Sequence, residues 1–346
     1  MMLRLAIIGF GNIGQEFARL LLSKRDWLRS RGLIVEVVAI ATRTRGSLLS
    51  EKGLDLERAL QEIGSRGTLR GYGPEVTDLP PLELIERCEA DIMVELTTLN
   101  IESGEPALSH VRTALETGMS VVTANKGPVA YAYDSLKALA DAHGVHFRFE
   151  GTVMDGTPVF SLVERTLPGC NILGIEGVLN CTTNFILTEM AQGRSMAEAV
   201  REAQRRGFAE ADPSLDIDGW DAAAKIAALA NVLMGAQTTP KQVERTGIRD
   251  ITDEAVRGAL AEGRKIKLIA RAERADGSVK TSVRPELVES GSPFWSVDGT
   301  SSAITLSTDL MGELTIIEAN PTLLQTAYAI FSDMLLIAEA VRRGVP

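Results

Sequence analysis

Short apolar runs alternate with amphipathic helical repeats along the first third of the chain. The runs that predict strands are Leu3 to Ile8, Ile34 to Ile40, Asp91 to Leu96 and Ser120 to Thr123. Helical spacing of apolar residues follows the first run, and a second helix is predicted at about Pro106 to Thr117. Such alternation predicts a parallel sheet covered by helices. Residues 46–88 are charged and contain glycine, and we expect helix and loop there at the edge of the sheet.

The pattern changes after His146. Ser195 begins a capping box that opens a helix ending at Gly207, and an alanine-rich helix is predicted from Gly219 to Met234. The short strand candidates that predict an antiparallel part are Leu173 to Leu179, Ile266 to Arg271, Val279 to Val283 and Ile304 to Leu306. The last apolar helix, Leu323 to Val341, contains Asp333 and Glu339, which favours a buried helix over a membrane span.

These patterns predict an α/β protein of two domains with a C-terminal helix. We expect a Rossmann-type, doubly wound parallel sheet over residues 1–135 and an α+β substrate domain over residues 136–320. The helix of residues 321–346 is expected to pack back on the first domain.

Composition narrows the function classes. The 346 residues include 36 Lys and Arg against 46 Asp and Glu, a net charge of −10 that argues against a nucleic-acid partner. The three cysteines lie far apart and show no disulfide or zinc pattern, and His143 and His146 have no accompanying ligand motif. With no signal-peptide pattern at the start, we expect a soluble cytoplasmic protein without a membrane partner.

A glycine-rich turn follows the first strand and opens the first helix. Its sequence is Gly9, Phe10, Gly11, Asn12, Ile13 and Gly14, the G-x-G-x-x-G pattern. The first glycine permits a tight turn, the second lets the backbone approach a pyrophosphate, and the third allows close packing of helix on strand. Phosphates then lie at a helix N-terminus, where unpaired amides favour anions. The position and the second strand about 20 residues on predict a dinucleotide site.

The end of the second strand bears on the choice of cofactor. An NAD site usually places Asp or Glu there to bind the ribose 2′-hydroxyl. This sequence has Arg43 and Arg45 and no acid at that place, which favours NADP over NAD through a 2′-phosphate contact with Arg43. Both arginines are alternatively solvated surface charges.

Two lysines are candidates for proton transfer. Lys126 follows the strand that ends at Thr123, and ligands of open α/β sheets bind at the carboxyl ends of strands. Asp221 and Lys225 lie one helical turn apart and share a face of the alanine-rich helix. Facing solvent, that pair has no functional meaning, and spacing alone favours this interpretation; facing a cleft, it transfers protons.

An acidic loop precedes that helix. Its carboxylates are Glu210, Asp212, Asp216 and Asp218. Acids packed this closely repel one another unless a cation lies among them. A substrate ammonium group would supply that cation.

Together these segments resemble the homoserine dehydrogenase family. The matching segments are GFGNIG at 9–14, VELTT with Thr97, TANKGP around Lys126, EGTVMDGTP at 150–158, GVLNCTTNFIL at 177–187 and AEADPSLDIDGWDAAAK at 209–225. The last segment is the most specific, because no generic fold explains its acids and lysine at those spacings. The match extends over most of the chain.

The resemblance implies interconversion of L-homoserine and L-aspartate 4-semialdehyde with NAD(P), in threonine, methionine and isoleucine biosynthesis. It makes Lys225, Lys126 and Asp221 the catalytic residues, with either lysine carrying the proton. Substrate contacts are implied for Glu210, Asp216, Asp221 and Thr182. Cofactor contacts are implied for Gly9, Gly11, Asn12, Ile13, Gly14, Arg43, Thr97 and Lys126.

The sequence departs from the family pattern at three places. Cys181 stands where the family often has glycine, and we expect a side chain there to narrow the substrate pocket. Residues 318–322 replace a glycine-rich turn that normally approaches the cofactor. The turn at 153–158 is also altered, and in some members it binds sodium. The sodium ligands that the resemblance implies here are Glu150 and the backbone carbonyls of Val153, Asp155 and Thr157.

The family also leads us to expect a homodimer and no regulatory extension. Two alternatives remain open from the residues. One is an oxidoreductase of the same scaffold acting on another small amino-acid-derived alcohol or aldehyde. The other is a nucleotide-sensing protein without catalysis, against which the retention of Lys126, Asp221 and Lys225 argues.

Overall fold

The first part of the chain forms strands and helices in alternation. The computed structural model describes residues 1–344. Its first elements are β1 (Met2–Ile8), α1 (Asn12–Ser23), α2 (Arg25–Ser30), β2 (Ile34–Ala41), β3 (Ser47–Leu49), α3 (Leu56–Arg66), β4 (Val76–Thr77), α4 (Pro81–Arg87), β5 (Ile92–Glu95), α5 (Ala107–Glu116), β6 (Ser120–Thr123), α6 (Lys126–His143) and β7 (Phe147–Arg148). The predicted strands and helices of this region are all present.

These strands form one seven-stranded sheet in the order β4-β3-β2-β1-β5-β6-β7. Five neighbouring strands run parallel: β2, β1, β5, β6 and β7. β3 and β4 extend the sheet beyond β2 as antiparallel strands. The chain crosses from one side of β1 to the other between β2 and β5, which is the topological switch point where doubly wound sheets bind ligands. The prediction of only helix and loop for residues 46–88 is wrong at β3 and β4, which are too short to give a hydrophobic pattern.

The rest of the chain forms a second sheet with helices. Its elements are α7 (Phe160–Thr166), β8 (Ile172–Val178), α8 (Cys181–Ala191), α9 (Met196–Arg205), α10 (Ser214–Ile217), α11 (Trp220–Met234), β9 (Glu244–Arg245), α12 (Asp253–Ala261), β10 (Arg264–Ala275), β11 (Ser278–Glu289), β12 (Ser302–Thr308), β13 (Glu313–Glu318) and finally α13 (Leu323–Arg343). Short 3₁₀ helices lie at Glu150–Thr152 and Pro240–Gln242. The second sheet has the order β13-β12-β8-β10-β11-β9 and is antiparallel except for the β11–β9 pair.

The chain divides into two compact units at different boundaries from those expected. The first unit contains residues 1–158 together with the segment from Thr322, and the second contains Val159–Pro321. The expected boundary at 135/136 falls inside α6, because α6 leads into β7, which adds an edge strand to the first sheet. Residues 345 and 346 of the expected C-terminal segment lie outside the described residues.

The last helix, α13, is part of the core of the first unit. Its buried residues pack in one cluster with Phe17 and Leu21 of α1 and with the apolar strands β1 and β2. Among residues 1–344, α13 is the only helix long and apolar enough to cross a membrane, and half of its apolar window is buried inside the protein. Burial in a core explains the same composition.

Candidate active site

The glycine turn after β1 leaves no room for side chains at two of its positions. Gly9 has a φ of +102°, and a Cβ there would lie 2.6 Å from the backbone of Leu96. A Cβ on Gly14 would lie 2.5 Å from the carbonyl oxygen of Gly9. The first glycine therefore permits the turn to approach the backbone that follows β5, and the third permits the close packing of α1 on the turn after β1.

The second glycine faces open space instead. A Cβ built on Gly11 meets no atom within 4 Å. Gly11 is also the N-cap of α1, where no side chain caps the helix and no acid lies in the first turn. Asn12 is exposed beside it, and Ile13 packs partly against the core. These uncapped amides fit the pyrophosphate of a dinucleotide.

The turn after β2 presents Arg43 to solvent. The Thr42 hydroxyl donates a hydrogen bond to the Gly46 carbonyl at 2.7 Å and accepts one from the Arg45 amide at 2.9 Å. These bonds close the turn while the Arg43 side chain remains exposed. A guanidinium held on a short ordered turn can bind a phosphate without ordering a long loop.

Thr97 forms hydrogen bonds with a buried carboxylate at the end of β5. Glu95 is fully buried, and its Oε1 accepts hydrogen bonds from the Thr97 amide, at 3.2 Å, and from the Thr97 hydroxyl. The buried His110 ring contacts the same oxygen at 3.4 Å. The side-chain amide of Asn125 donates a hydrogen bond to the Thr97 carbonyl at 2.8 Å. This network fixes Thr97 relative to the start of α6.

Lys126 is the first residue of α6 and belongs to the first unit. The Asn125 side chain caps this helix by accepting from the Gly127 amide at 2.9 Å. Lys126 itself is half-buried. Its position after the carboxyl end of β6 is the one that the sequence predicts.

The altered turn at 153–158 packs on α13 within the first unit. The Glu150 side chain is buried, and its backbone amide donates to Asp333 at 2.8 Å. Asp155 has a φ of +46°, and its carboxylate accepts a hydrogen bond from the Thr326 hydroxyl at 2.9 Å. The Asp155 side chain thus binds the helix. Among residues 1–344, no cluster of three or more His, Cys, Asp or Glu side chains is arranged to hold a metal ion.

In the second unit, two carboxylates share one amide nitrogen. Asn180 Nδ2 donates to Asp216 Oδ1 at 2.6 Å and to Asp221 Oδ2 at 2.9 Å. Asn180 is the N-cap of α8, and its Oδ1 accepts from the Thr183 amide at 2.8 Å. The cap therefore fixes which side of the Asn180 amide faces the acids.

Lys225 completes this cluster. Its Nζ lies 3.1 Å from Asp221 Oδ2 and donates a hydrogen bond to the Leu179 carbonyl at 2.7 Å. The lysine is buried, at 9% exposure, so its amine faces the cluster. The interpretation of Asp221 and Lys225 as a solvated surface pair, which spacing alone favours, is therefore wrong.

Burial gives the cluster unusual electrostatics. The pKa of Asp216 is raised above its ordinary value, first by burial and then by the negative charge of Asp221. The hydrogen bond from Asn180 and the positive charge of Lys225 act in the opposite direction. Asp216 is thus stabilised incompletely as an anion, and a further cation would favour its ionised form.

The other acids of the loop do not join this cluster. Asp212 caps the backbone at Ser214, and Asp218 forms two hydrogen bonds with Arg249, at 2.7 and 2.9 Å. The Glu210 side chain is exposed, and only its carbonyl is bound, by Gln204 at 3.1 Å. The expectation of one four-acid cluster is therefore wrong, because Asp212 and Asp218 have other partners and the Glu210 side chain is exposed.

Thr182 and Cys181 lie in the first turn of α8 beside the cluster. The Thr182 hydroxyl donates to the Phe208 carbonyl at 2.9 Å, which ties α8 to the start of the acidic loop. Cys181 is half-buried and follows the N-cap Asn180 directly.

Sequence reasoning missed Asn180 and Glu95. Asn180 had a readable signal, since an asparagine between a strand and a helix is a typical N-cap. Glu95 gave no comparable signal, because a single acid at a strand end is common and its partners lie elsewhere in the chain.

A parallel sheet with an uncapped, glycine-lined helix N-terminus defines the nucleotide-binding class of the first unit. With the amine and carboxylate cluster of the second unit, the class of protein is a nicotinamide-dependent oxidoreductase. The profile described as "Homoserine dehydrogenase, NAD binding domain" matches residues 9–150, and that described as "Homoserine dehydrogenase" matches residues 158–335. The chain belongs to the homoserine dehydrogenase family.

Individual relatives agree with the family over nearly the full chain. A homoserine dehydrogenase of Methanocaldococcus jannaschii is 39% identical over 97% of this chain and 99% of its own length. An NAD(+)-dependent homoserine dehydrogenase of Pseudomonas canavaninivorans is 37% identical over 98% and 97%. A solved hyperthermophilic archaeal homoserine dehydrogenase in complex with NADPH is 33% identical, with a TM-score of 0.83 over 98% of each chain. The protein is an NAD(P)-dependent homoserine dehydrogenase.

Gly11 and Gly14, one facing open space and one closely packed, allow a matched test of the proposed nucleotide-binding loop. Gly11→Ala should raise the Kd for NADPH by about tenfold or more while leaving the unfolding free energy unchanged, because its Cβ enters the space proposed for the pyrophosphate. Gly14→Ala should instead destabilise the fold, since its Cβ meets the Gly9 carbonyl. Fluorescence titration and urea unfolding measure the two effects. Wild-type NADPH affinity in Gly11→Ala would contradict the assignment.

Proposed function

We propose that Lys225 is the proton carrier of the homoserine dehydrogenase reaction and that Asp221 orients it. The observation that carries this proposal is the position of the Lys225 amine, 3.1 Å from Asp221 and buried beside Asp216. A cationic amine held in a buried site stabilises a developing alkoxide far more strongly than one in water.

Each residue then has a defined task in reducing the aldehyde. Bound NAD(P)H supplies the hydride that adds to the aldehyde carbon. The Lys225 ammonium donates a proton to the carbonyl oxygen, which becomes the hydroxyl of homoserine. Asp221 holds the ammonium in place and keeps it charged before transfer. In the oxidative direction the neutral amine of Lys225 takes the hydroxyl proton back.

We assign the amino acid end of the substrate to the acids of the second unit. Asp216 and Asp221 share the Asn180 amide donor, and Lys225 lies beside Asp221, so a substrate ammonium would supply a second positive charge to the two acids. Glu210, exposed on the preceding loop, and Thr182, beside Asp216, are proposed as further substrate contacts. An Asp216→Asn variant with an unchanged KM for homoserine would contradict this assignment.

The cofactor is assigned to the first unit. Gly9, Gly11, Asn12, Ile13 and Gly14 form the proposed pyrophosphate site. Thr97 and Lys126 lie at the carboxyl ends of the neighbouring strands β5 and β6, on the side of the sheet where nicotinamide cofactors bind. Arg43 is proposed to bind the 2′-phosphate of NADP, so that NADP is preferred to NAD.

A sodium ion is proposed at the turn after β7. Glu150 offers a buried carboxyl group, and the carbonyls of Val153, Asp155 and Thr157 are the ligands implied by the family resemblance. The Asp155 carboxylate is bound to Thr326 and is therefore left out of the proposed ligand set. Equal melting temperatures in sodium and tetramethylammonium chloride would contradict the site.

A homodimer is proposed through the face of the second sheet that lies opposite α11. Thr315, Thr305, Glu176 and Arg271 are directly opposed from strand to strand and form one row across this face. Arg271 binds Glu176 at 2.6 Å, yet its Nε is buried without a hydrogen-bond partner among residues 1–344. A second copy of the chain would cover this face and supply an acceptor.

We also place the protein in the cytoplasm. No disulfide links its three cysteines within residues 1–344, which is typical of a reducing compartment. Recovery of the protein from a secreted fraction would contradict this placement.

Separate lysine variants test the proton carrier. Lys225→Met should lower kcat by about 10²- to 10⁴-fold, because it removes both the proton and the positive charge. Lys126→Met should raise the KM for NADP with a smaller loss of kcat. Homoserine oxidation, followed by the absorbance of the reduced nicotinamide, measures both, with the exposed Lys137→Met as the control. A larger loss of kcat in Lys126→Met would assign the proton to Lys126.

The proposed preference for NADP is tested at the turn after β2. Arg43→Ala should raise the KM for NADP by about tenfold and leave the KM for NAD unchanged, since only NADP has the 2′-phosphate. Arg45→Ala, on the same turn, is the matched control. An equal loss with both cofactors would show that Arg43 does not select between them.

The dimer is tested by placing charge on the open sheet face. Ile317 is 52% exposed on the same face as Thr315, and Ile317→Lys should weaken dimerisation in sedimentation experiments. Leu287, 50% exposed on the opposite face, gives the control Leu287→Lys. A wild-type protein that sediments as a monomer would refute the proposal.

A further inference from the structure

The acids Asp216 and Asp221 are held close together although they repel each other. Both accept a hydrogen bond from Asn180 Nδ2, and burial followed by the charge of Asp221 raises the pKa of Asp216. A flexible backbone between them would let the two side chains separate. The segment that joins them, residues 217–220, must therefore be fixed by other contacts.

A second segment of the same unit contacts this backbone closely. The segment is residues 245–249, which we term the clasp. The Ile248 amide donates a hydrogen bond to the Ile217 carbonyl at 2.8 Å. Next to it, a Cβ on Gly247 would overlap the Ile217 carbonyl oxygen and the Asp218 backbone. Only glycine permits this approach.

Two arginines of the clasp hold Asp218. Arg249 binds the Asp218 carboxylate through Nε at 2.7 Å and Nη2 at 2.9 Å, a bidentate pair. Arg245 donates to the Asp218 carbonyl. The Asp218 pKa lies below its ordinary value because of the hydrogen bond from Arg249, so the pair persists at neutral pH.

Arg245 also fixes the start of α11. Its guanidinium lies 3.7 Å from the centre of the Trp220 ring, a cation–π contact. Its Cγ lies 3.4 Å from where a Cβ on Gly219 would lie, and Gly219 has a φ of +81° that favours glycine. The clasp thus contacts every residue that joins Asp216 to Asp221.

We propose that the clasp is a positioning element for substrate recognition. It sets the separation of Asp216 and Asp221 so that both face one substrate ammonium group. Arg249 of the clasp and its partner Asp218 are positioning residues, and neither contacts the substrate. The inference rests on the substrate roles that we propose for Asp216 and Asp221.

A double-mutant cycle on Arg249 and Asp218 tests the clasp. Arg249→Ala and Asp218→Asn should each raise the KM for homoserine by about tenfold, because loss of the bidentate pair releases the backbone between the two acids. The KM for NADP should remain at the wild-type value. The double variant should be no worse than either single variant, since the two residues act as one unit.

The matched control is another ion pair of the same unit. Arg257 binds Glu254 at 2.9 Å on the surface of α12, and Arg257→Ala should leave both KM values unchanged. Gly247→Ala provides a second route to the same defect without changing any charge. Circular dichroism verifies that each variant is folded, and Arg249→Lys replaces any Arg249→Ala protein that is not; its single ammonium should raise the homoserine KM less.

Three outcomes would overturn the proposal. They are a wild-type homoserine KM in folded Arg249 and Gly247 variants, equal rises in the KM values for homoserine and NADP, and fully additive effects in the double variant. Asp216→Asn separates these from failure of the proposed function. If Asp216→Asn raises the homoserine KM and the clasp variants do not, only the clasp is wrong. If Asp216→Asn has no effect, the substrate role and the clasp both fail.

Discussion

The second unit depends on one amide nitrogen that serves two carboxylates. Asn180 Nδ2 has two hydrogens, and it donates to Asp216 and to Asp221. The same side chain caps α8 through its oxygen, so the helix start determines the orientation of the amide. An aspartate would cap the helix equally well but would place a third negative charge among the acids. The requirement for an amide therefore comes from the site and not from the helix.

The first unit depends on a steric constraint instead. Gly14 lets α1 approach the turn after β1, and Gly9 lets that turn approach the backbone at Leu96. Gly11, the N-cap of α1, has no side chain that could cap the helix. A helix start usually gains stability from a cap, so its absence here leaves backbone amides available to a ligand. Glu95 has a related effect at the end of β5, since its buried carboxylate fixes Thr97 by two hydrogen bonds.

Local patterns predicted the elements that carry their own signal. The strand before Gly9, the strand ending at Thr123 and the capping box at Ser195 are present because alternation, β-branched runs and caps act over a few residues. The edge strands β3 and β4 were missed because they are very short and take their stability from pairing with β2. The partner of Asp218 was also missed, because ion pairs depend on the tertiary fold and Arg249 lies far along the chain. The four-residue spacing correctly predicts that Asp221 and Lys225 are neighbours on α11. Their burial, which the spacing does not give, is what distinguishes a functional site from a surface ion pair.

A cationic ligand would stabilise the carboxylates of the cluster in the second unit. Taking carboxylates out of water disfavours their charged forms, and the pKa of Asp216 is raised although Asn180 and Lys225 act against this. An ammonium group that enters the cluster stabilises the ionised acids, so that the cost of burying them is offset by binding. In the proposed mechanism, the Lys225 amine, 3.1 Å from Asp221, lies beside this ammonium and donates its proton to the reacting oxygen. In this proposed mechanism, substrate recognition and proton transfer therefore act through one set of charges, and we expect the backbone that spaces those charges to affect both.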